Sequence, residues 1–184
     1  MRLKPDYTDA LLCLADARLK QGKLPEAEAA LRQLVKLHPT NAELRINLGG
    51  ILWQQARQDE ALEQYATATY LNPNEPVAHY NFATVLSVQG NVLQAGTHFA
   101  EAIRLKPDYL EARLGLSRVL SKQGRFPEAT AVIQEGTKHN PTNAALYLEL
   151  GKVLTLAGKT NEAALAFTNV LHLDPALLQK TNKN

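Results

Sequence analysis

The sequence predicts an all-α solenoid built from antiparallel helix-turn-helix repeats that stack on one another. Three observations favour this fold class: proline recurs every 34 residues, alanine recurs near the middle of each interval, and a glycine-containing break separates two stretches of helical periodicity. A single hairpin of this kind cannot bury its own apolar face. Stacked neighbours are therefore needed to form a core.

Each interval contains one small residue and one large residue at fixed places in its second helical stretch. The alanines are Ala27, Ala61, Ala95, Ala129 and Ala163, and the large residues four positions later are Leu31, Tyr65, Phe99, Ile133 and Phe167. The first stretch carries a large apolar series at Leu14, Leu48, Phe82, Leu116 and Leu150, followed directly by Ala15, Gly49, Ala83, Ser117 and Gly151. Small residues let two helix axes approach, and the large residue fills the groove beside them.

Turn signals separate the predicted helices. Glycine suits the end of a first helix, because a left-handed residue stops the helix there; such glycines are Gly22, Gly90, Gly124 and Gly158. Pro25 and Pro127 stand where a second helix begins, and Pro76 stands where a first helix begins. The periodic prolines end the second helices and mark the connections between repeats; they are Pro5, Pro39, Pro73, Pro107, Pro141 and Pro175.

This pattern resembles the tetratricopeptide repeat family. The residues that carry the resemblance are the Leu-(Gly/Ala/Ser) pair, the alanine in the middle of the repeat, the large residue four positions later and the final proline. The predicted repeats are 8–41, 42–75, 76–109, 110–143 and 144–177. The resemblance implies a right-handed superhelix whose first helices line a concave face. Arg18, Gly136 and His139 depart from the pattern, and Gly136 is expected to weaken its helix by about 1 kcal/mol.

The two ends of the sequence read as parts of further repeats. Residues 2–7 are identical to residues 104–109, so residues 1–7 are predicted to end a preceding repeat. This favours a fragment of a longer array over a native start with a short lead-in. Residues 178–184 are predicted to be a polar tail or the start of a further helix.

Composition argues against several classes of partner. The net charge is +2 with acids and bases interspersed, whereas binding to nucleic acid needs a concentrated basic face. The sequence contains no run of about 18 apolar residues, so no direct membrane insertion is expected. Cys13 is the one cysteine, which excludes an internal disulfide framework and leaves the compartment open.

No catalytic motif is recognisable, and we expect neither enzymatic activity nor a cofactor nor a bound metal. The five histidines form no i, i+4 pair with a helical glutamate between them, and the sequence has no phosphate loop, dinucleotide motif or nucleophile elbow. Glu26, Glu60, Glu128 and Glu162 recur at one repeat position. Their expected role is to place favourable charge near the start of a second helix.

The resemblance implies that non-core positions of the first helices contact a ligand. The candidate peptide-binding residues are Asn47, Trp53, Tyr80, Asn81, Thr84, Arg118, Lys122 and Lys152. Asn47 and Asn81 occupy one repeat position, where a carboxamide can pair with a peptide bond or simply contact water. They are similar to the asparagine ladder in the repeat region of a glycosyltransferase, although Cys13, Gly115 and Glu149 interrupt it.

Two further features bear on the ligand. Trp53 is either a binding anchor in the groove or a packing residue between first helices, and Gly50 and Gly115 are expected to leave space for a bound chain. Cationic Arg118, Lys122 and Lys152 and acidic Asp9, Asp16 and Glu43 either orient an extended peptide or form an ordinary solvated surface. The sequence does not match the two-carboxylate clamp with which some family members hold the tails of chaperones.

These observations predict a protein–protein interaction scaffold that binds a peptide or protein segment in the concave groove. Two alternatives stay open. One is a non-catalytic, substrate-recruiting or regulatory region of a larger enzyme such as a glycosyltransferase. The other is a structural scaffold that self-associates through uncapped solenoid ends.

Overall fold

The computed structural model describes the backbone of residues 5–181 and the side chains of residues 7–178. In this part of the chain the helices are α1 (Pro5–Lys20), α2 (Leu24–Leu37), α3 (Ala42–Gln54), α4 (Gln58–Leu71), α5 (Pro76–Val88), α6 (Val92–Leu105), α7 (Leu110–Lys122), α8 (Phe126–His139), α9 (Ala144–Leu156), α10 (Thr160–Leu173) and α11 (Pro175–Thr181). The predicted all-α fold of antiparallel helix pairs is confirmed. The predictions for residues 1–4 and 182–184 lie outside the described residues.

The chain divides into two compact units, Met1–Val85 and Leu86–Asn184. In the first unit α3 packs between α2 and α4, and the core includes Leu31, Leu34, Leu48, Leu52 and Tyr65. In the second unit α7 packs between α6 and α8, and α9 packs between α8 and α10 around Ile133, Leu146, Leu150 and Leu154. That the five repeats form one continuous array stays a prediction.

The predicted small-against-large packing is present within helix pairs of both units. All five periodic alanines of the second helices are buried. A Cβ added to Gly49 would lie 2.7 Å from Cε1 of Tyr65, and one added to Gly151 would lie 2.5 Å from Cε1 of Phe167. These rings therefore rest directly on the backbone of the facing helix, which fixes the spacing of the pair.

Two features of the terminal helices differ from the expectation. Helix α1 begins at Pro5 rather than near residue 8, because a proline without an N–H group fits the first turn of a helix. Leu14 was expected in the core but is 42% exposed, while Leu11 and Ala15 are buried. In the described part of the chain α1 has a helix neighbour on one side only, whereas the corresponding α3 has neighbours on both sides.

A left-handed residue ends the first helix of each pair, as predicted. Gly22, Gly90, Gly124 and Gly158 have φ between 71° and 84°, and at the corresponding position Ala56 has φ of 60°. A side chain with a Cβ disfavours this backbone region by roughly 1–2 kcal/mol, whereas glycine adopts it freely. Ala56 is therefore a strained residue that the surrounding helix pair holds in place.

Replacing Ala56 with glycine should stabilise the protein. We expect A56G to raise the free energy of unfolding by about 0.5–1 kcal/mol, because the relieved strain exceeds the added entropy of the unfolded chain. Urea denaturation would measure this as a higher midpoint with an unchanged slope. The matched control is G124A, which has open space around the new Cβ and should be destabilised. Equal stability of A56G and the wild type would contradict the assigned strain.

A recurring contact that the sequence did not indicate joins successive repeats. The guanidinium of Arg45 donates to the carbonyl oxygen of Pro39, at 3.1 Å from Nη2, and that of Arg113 donates to the carbonyl oxygen of Pro107 at 2.8 Å. Nε2 of His79 lies 3.0 Å from the carbonyl oxygen of Pro73. In each case a polar side chain of a first helix lies within hydrogen-bonding distance of a backbone carbonyl oxygen. That carbonyl belongs to the proline just after the preceding second helix.

Gly136 has a packing role that its sequence position did not reveal. The residue is buried, and an added Cβ would lie 2.5 Å from Cδ of Arg113 and 3.1 Å from Cδ2 of Leu146. The Arg113 side chain cannot move aside freely, because it also donates to the carbonyl oxygen of Val132 at 2.9 Å. Burial lowers the pKa of Arg113 below its ordinary value. Gly136 therefore makes room for a buried arginine.

G136A separates helix propensity from packing. Propensity alone favours the variant by about 1 kcal/mol, whereas overpacking typically costs about 1–3 kcal/mol. We expect net destabilisation in urea denaturation, and we expect the same substitution to become neutral or stabilising in an R113A background. A stabilised G136A single variant would show that the arginine rearranges without cost.

Four charged side chains form a closed ring between α2 and α4. Glu28 accepts from Nε of Arg32 and from Nη1 of Arg57, both at 2.7 Å. Glu60 accepts from Nε of Arg57 at 2.6 Å and from Nη2 of Arg32 at 2.8 Å. Burial alone would raise the pKa of Glu28, but the hydrogen bonds from both arginines outweigh it and hold that pKa below its ordinary value. Hydrogen bonds from Arg57, and then from Arg32, also keep the pKa of Glu60 low.

Because of this ring, we expect the stability of the protein to decrease as the pH falls into the acid range. A carboxylate whose pKa is lower in the folded state stabilises the fold above its ordinary value of 4.5, and this contribution is lost as the pH falls below that value. We expect E28Q to have a lower thermal midpoint than the wild type at pH 7, with the two midpoints converging toward pH 3. If the difference between the two thermal midpoints is the same at every pH, the ring has no electrostatic role in stability.

Candidate functional site

The candidate site is built on three positions of each first helix that lie outside its series of large apolar core residues. In α3 they are Asn47, Gly50 and Gln54, and in α9 they are Glu149, Lys152 and Leu156. Residues three and four apart lie on one face of a helix, so the three positions form a continuous line. We call the line on each first helix its first-helix stripe; the corresponding residues are Cys13, Asp16 and Lys20 on α1, Asn81, Thr84 and Val88 on α5, and Gly115, Arg118 and Lys122 on α7. It lies beside the core residues that fix the helix against its partners.

In the first unit, Asn47 is exposed and lines two cavities. One cavity of about 410 Å³ lies between α1 and α3, where Leu12, Leu19 and Leu31 contribute apolar walls. The other, of about 560 Å³, lies at the connections around the start of α3 and includes Glu43, Ile46 and Glu75. The first unit therefore offers carboxamide, acidic and apolar groups next to Asn47.

The other candidates of the first unit are less accessible than expected. Trp53 is half-buried and packs against the core of the first unit, so its indole contributes to packing as well as to the surface. Tyr80, Asn81 and Thr84 are half-buried on α5, and the Thr84 hydroxyl donates to the carbonyl oxygen of Tyr80 at 2.9 Å. Contact between these residues and a ligand stays a prediction.

In the second unit, the three candidate cations line one cavity. We call it the α7–α9 cavity; its volume is about 360 Å³ and its lining residues are Arg118, Ser121, Lys122, Glu149, Lys152, Val153 and Leu156. Arg118, Lys122 and Lys152 are exposed, and Leu156 is exposed beside them. The cations predicted from separate repeats are therefore neighbours around an apolar wall.

Two residues of the second unit differ from the expectation. The space beside Gly115 is not free for a ligand, because an added Cβ there would lie 2.6 Å from Cε1 and Cζ of Phe99. The prediction for Gly115 is wrong because the close approach belongs to helix packing. Glu149, which interrupts the predicted asparagine ladder, has a buried side chain whose Oε2 lies 3.6 Å from Nε of Arg118. Its repeat position, which Asn47 and Asn81 share, was the sequence signal that could have identified it as a candidate.

Among the described residues, no group of three or more histidine, cysteine, aspartate or glutamate side chains is placed to hold a metal ion. No helix within residues 5–181 combines the length and apolar character required to cross a membrane. The recurring acids take part in ion pairs, such as Arg125 with Glu128 at 3.0 Å and Lys159 with Glu162 at 3.2 Å.

The stacked helix pairs and their polar surface stripe define a helical repeat protein of the scaffold type. Two models, both described as tetratricopeptide repeat, match residues 12–76 and 89–151. Together they span more than half of the sequence, and the chain belongs to the tetratricopeptide repeat family. Members generally bind protein or peptide partners and are typically non-catalytic, so the chain is, in general terms, a protein–protein interaction scaffold.

Solved structures share the fold at low sequence identity. MamA from Desulfovibrio magneticus RS-1 is 18% identical with a TM-score of 0.85, covering 95% of this chain and 98% of that chain. YrrB, described as a TPR protein with an unusual peptide-binding site, is 19% identical with a TM-score of 0.77. The match covers 92% of this chain and 89% of that chain. PilF from Pseudomonas aeruginosa is 18% identical with a TM-score of 0.76, and the match covers 91% of this chain and 76% of that chain. No curated protein matches the sequence significantly.

Proposed function

We propose that the chain binds an extended peptide or protein segment along the first-helix stripe. The observation that carries this proposal is the α7–α9 cavity, where cations from two first helices surround an apolar wall. Such a combination suits a peptide, because apolar side chains supply affinity and a few placed polar groups supply orientation. The description of YrrB as a peptide-binding protein of similar fold agrees with this use of the fold.

The first unit supports the same proposal through a different chemistry. Asn47 is exposed between two cavities, and its carboxamide can donate to a peptide carbonyl and accept from a peptide N–H group. Such contacts do not depend on the side chains of the ligand. Asn81 stands at the same repeat position, although half-buried. Recruitment for a larger enzyme and self-association stay predictions without a particular observation in their favour.

A peptide selection tests the proposal directly. A random peptide library displayed on phage is selected against the full chain, and the selected peptides are synthesised with a fluorescent label for anisotropy measurements. We expect saturable binding, and we expect the K122A/K152A double variant to raise Kd about tenfold, since each side chain supplies part of the ligand contact. An N47A/N81A variant should also raise Kd if the stripe of the first unit contacts the ligand.

The matched control is K36A/K138A, which removes the same charge from exposed positions on the second helices α2 and α8. Its Kd should equal that of the wild type, and all variants should keep their helical circular dichroism. Absence of saturable binding to any selected peptide would overturn peptide binding. Equal Kd values for both stripe variants and the control would place the site away from the first-helix stripe.

A further inference from the structure

The charges of the α7–α9 cavity favour one class of ligand. Arg118, Lys122 and Lys152 bring three positive charges to its lining, and Glu149 brings one negative charge. Opposite charges across an interface select partners, and like charges reject them. The net positive charge therefore favours a segment that carries acidic side chains. The exposed Leu156 and the buried Val153 add an apolar surface for a neighbouring side chain.

Glu149 differs in its contacts from Glu28, the other buried acid among the described residues. Its side chain is only 8% exposed, and within the described residues its polar contact is the 3.6 Å approach of Arg118. By comparison, the Glu28 side chain is 12% exposed and accepts two hydrogen bonds of 2.7 Å from arginines. A carboxylate can accept about four hydrogen bonds, so Glu149 keeps capacity to accept further ones beside its ion pair with Arg118.

The same cavity contains the hydroxyl group of Ser121. The hydroxyl oxygen of Ser121 is buried and has no hydrogen-bond partner among the described residues, although serine in a helix commonly bonds to a preceding carbonyl. Ser121 lies one helical turn beyond Arg118, on the same side of α7. The cavity thus combines a carboxylate with spare acceptor capacity, a hydroxyl without a partner and three cations, one of which pairs with that carboxylate.

We propose that this cavity binds an extended peptide in which an acidic residue stands next to an apolar one, and that Glu149 accepts a hydrogen bond from a backbone N–H of that peptide. The inference rests on the proposed peptide-binding function and specifies its ligand. Glu149 occupies the repeat position that Asn47 and Asn81 hold elsewhere, so an acceptor recurs at this position. The acidic side chain pairs with Lys122 and Lys152, and the apolar side chain packs on Leu156.

The experiment uses the peptides selected on the full chain. We expect them to be enriched in acidic residues next to apolar ones, relative to the unselected library. Each backbone N–H of the strongest peptide is then replaced in turn by N-methyl. We expect one position to raise Kd about tenfold on the wild type, because a hydrogen bond to a charged group is lost, and to have little effect on the E149L variant.

Controls separate this role from a structural one. E149Q retains the shape of the side chain and a carbonyl acceptor, and we expect it to bind less tightly than the wild type and more tightly than E149L. E135Q, on the exposed face of α8, should bind as the wild type does. Thermal denaturation of each variant shows whether the fold is kept, and E149Q supplies the test if E149L does not fold.

The outcomes distinguish this inference from the proposed function. If peptides bind saturably without enrichment in acids, or if N-methylation has the same effect on the wild type and both Glu149 variants, the inference is wrong and peptide binding stands. If no selected peptide binds saturably, both are wrong. Coupling between one N-methyl position and Glu149, together with acidic enrichment, supports the inference.

Discussion

Within a helix pair, the two axes lie close together because a small residue on one helix faces a large residue on the other. The ring of Tyr65 contacts the backbone at Gly49, and the ring of Phe167 contacts the backbone at Gly151. A side chain on either glycine would have to displace a ring that is packed into a core. This constraint fixes how each of the first helices α3 and α9 is rotated. It therefore decides which positions of that helix are left at the surface to form the stripe.

The buried charged side chains of this protein differ in how closely other groups pair with them. Glu28 is held by two arginines, and Arg113 donates to two backbone carbonyls, so both charges are satisfied within the fold. Their positions join neighbouring helices, and they stabilise the spacing between repeats. Glu149 is buried to a similar degree and has one distant partner. This contrast leaves Glu149 with more capacity to accept a further hydrogen bond than Glu28 has.

The helices could be predicted because their signals are local. Glycine with positive φ, proline at helix starts and apolar spacing all depend on residues within one repeat, and the turns at Gly22, Gly90, Gly124 and Gly158 are where the sequence places them. Positions that depend on a neighbouring helix were predicted poorly. Gly136 was interpreted as a weakness although it accommodates Arg113, and Gly115 was interpreted as open space although Phe99 fills it. Neither partner is close in sequence to the glycine it contacts.

The sequence by itself determined the all-α class, the 34-residue period and the repeat family, because a period that recurs five times specifies the same helix pair each time. It also indicated which side of each first helix is free of core residues. Only the tertiary structure decided that Arg118, Lys122 and Lys152 surround one cavity, that Trp53 is partly used in the core, and that Glu149 is buried beside Arg118. These properties arise from contacts between helices, and the spacing of residues along one helix does not specify them.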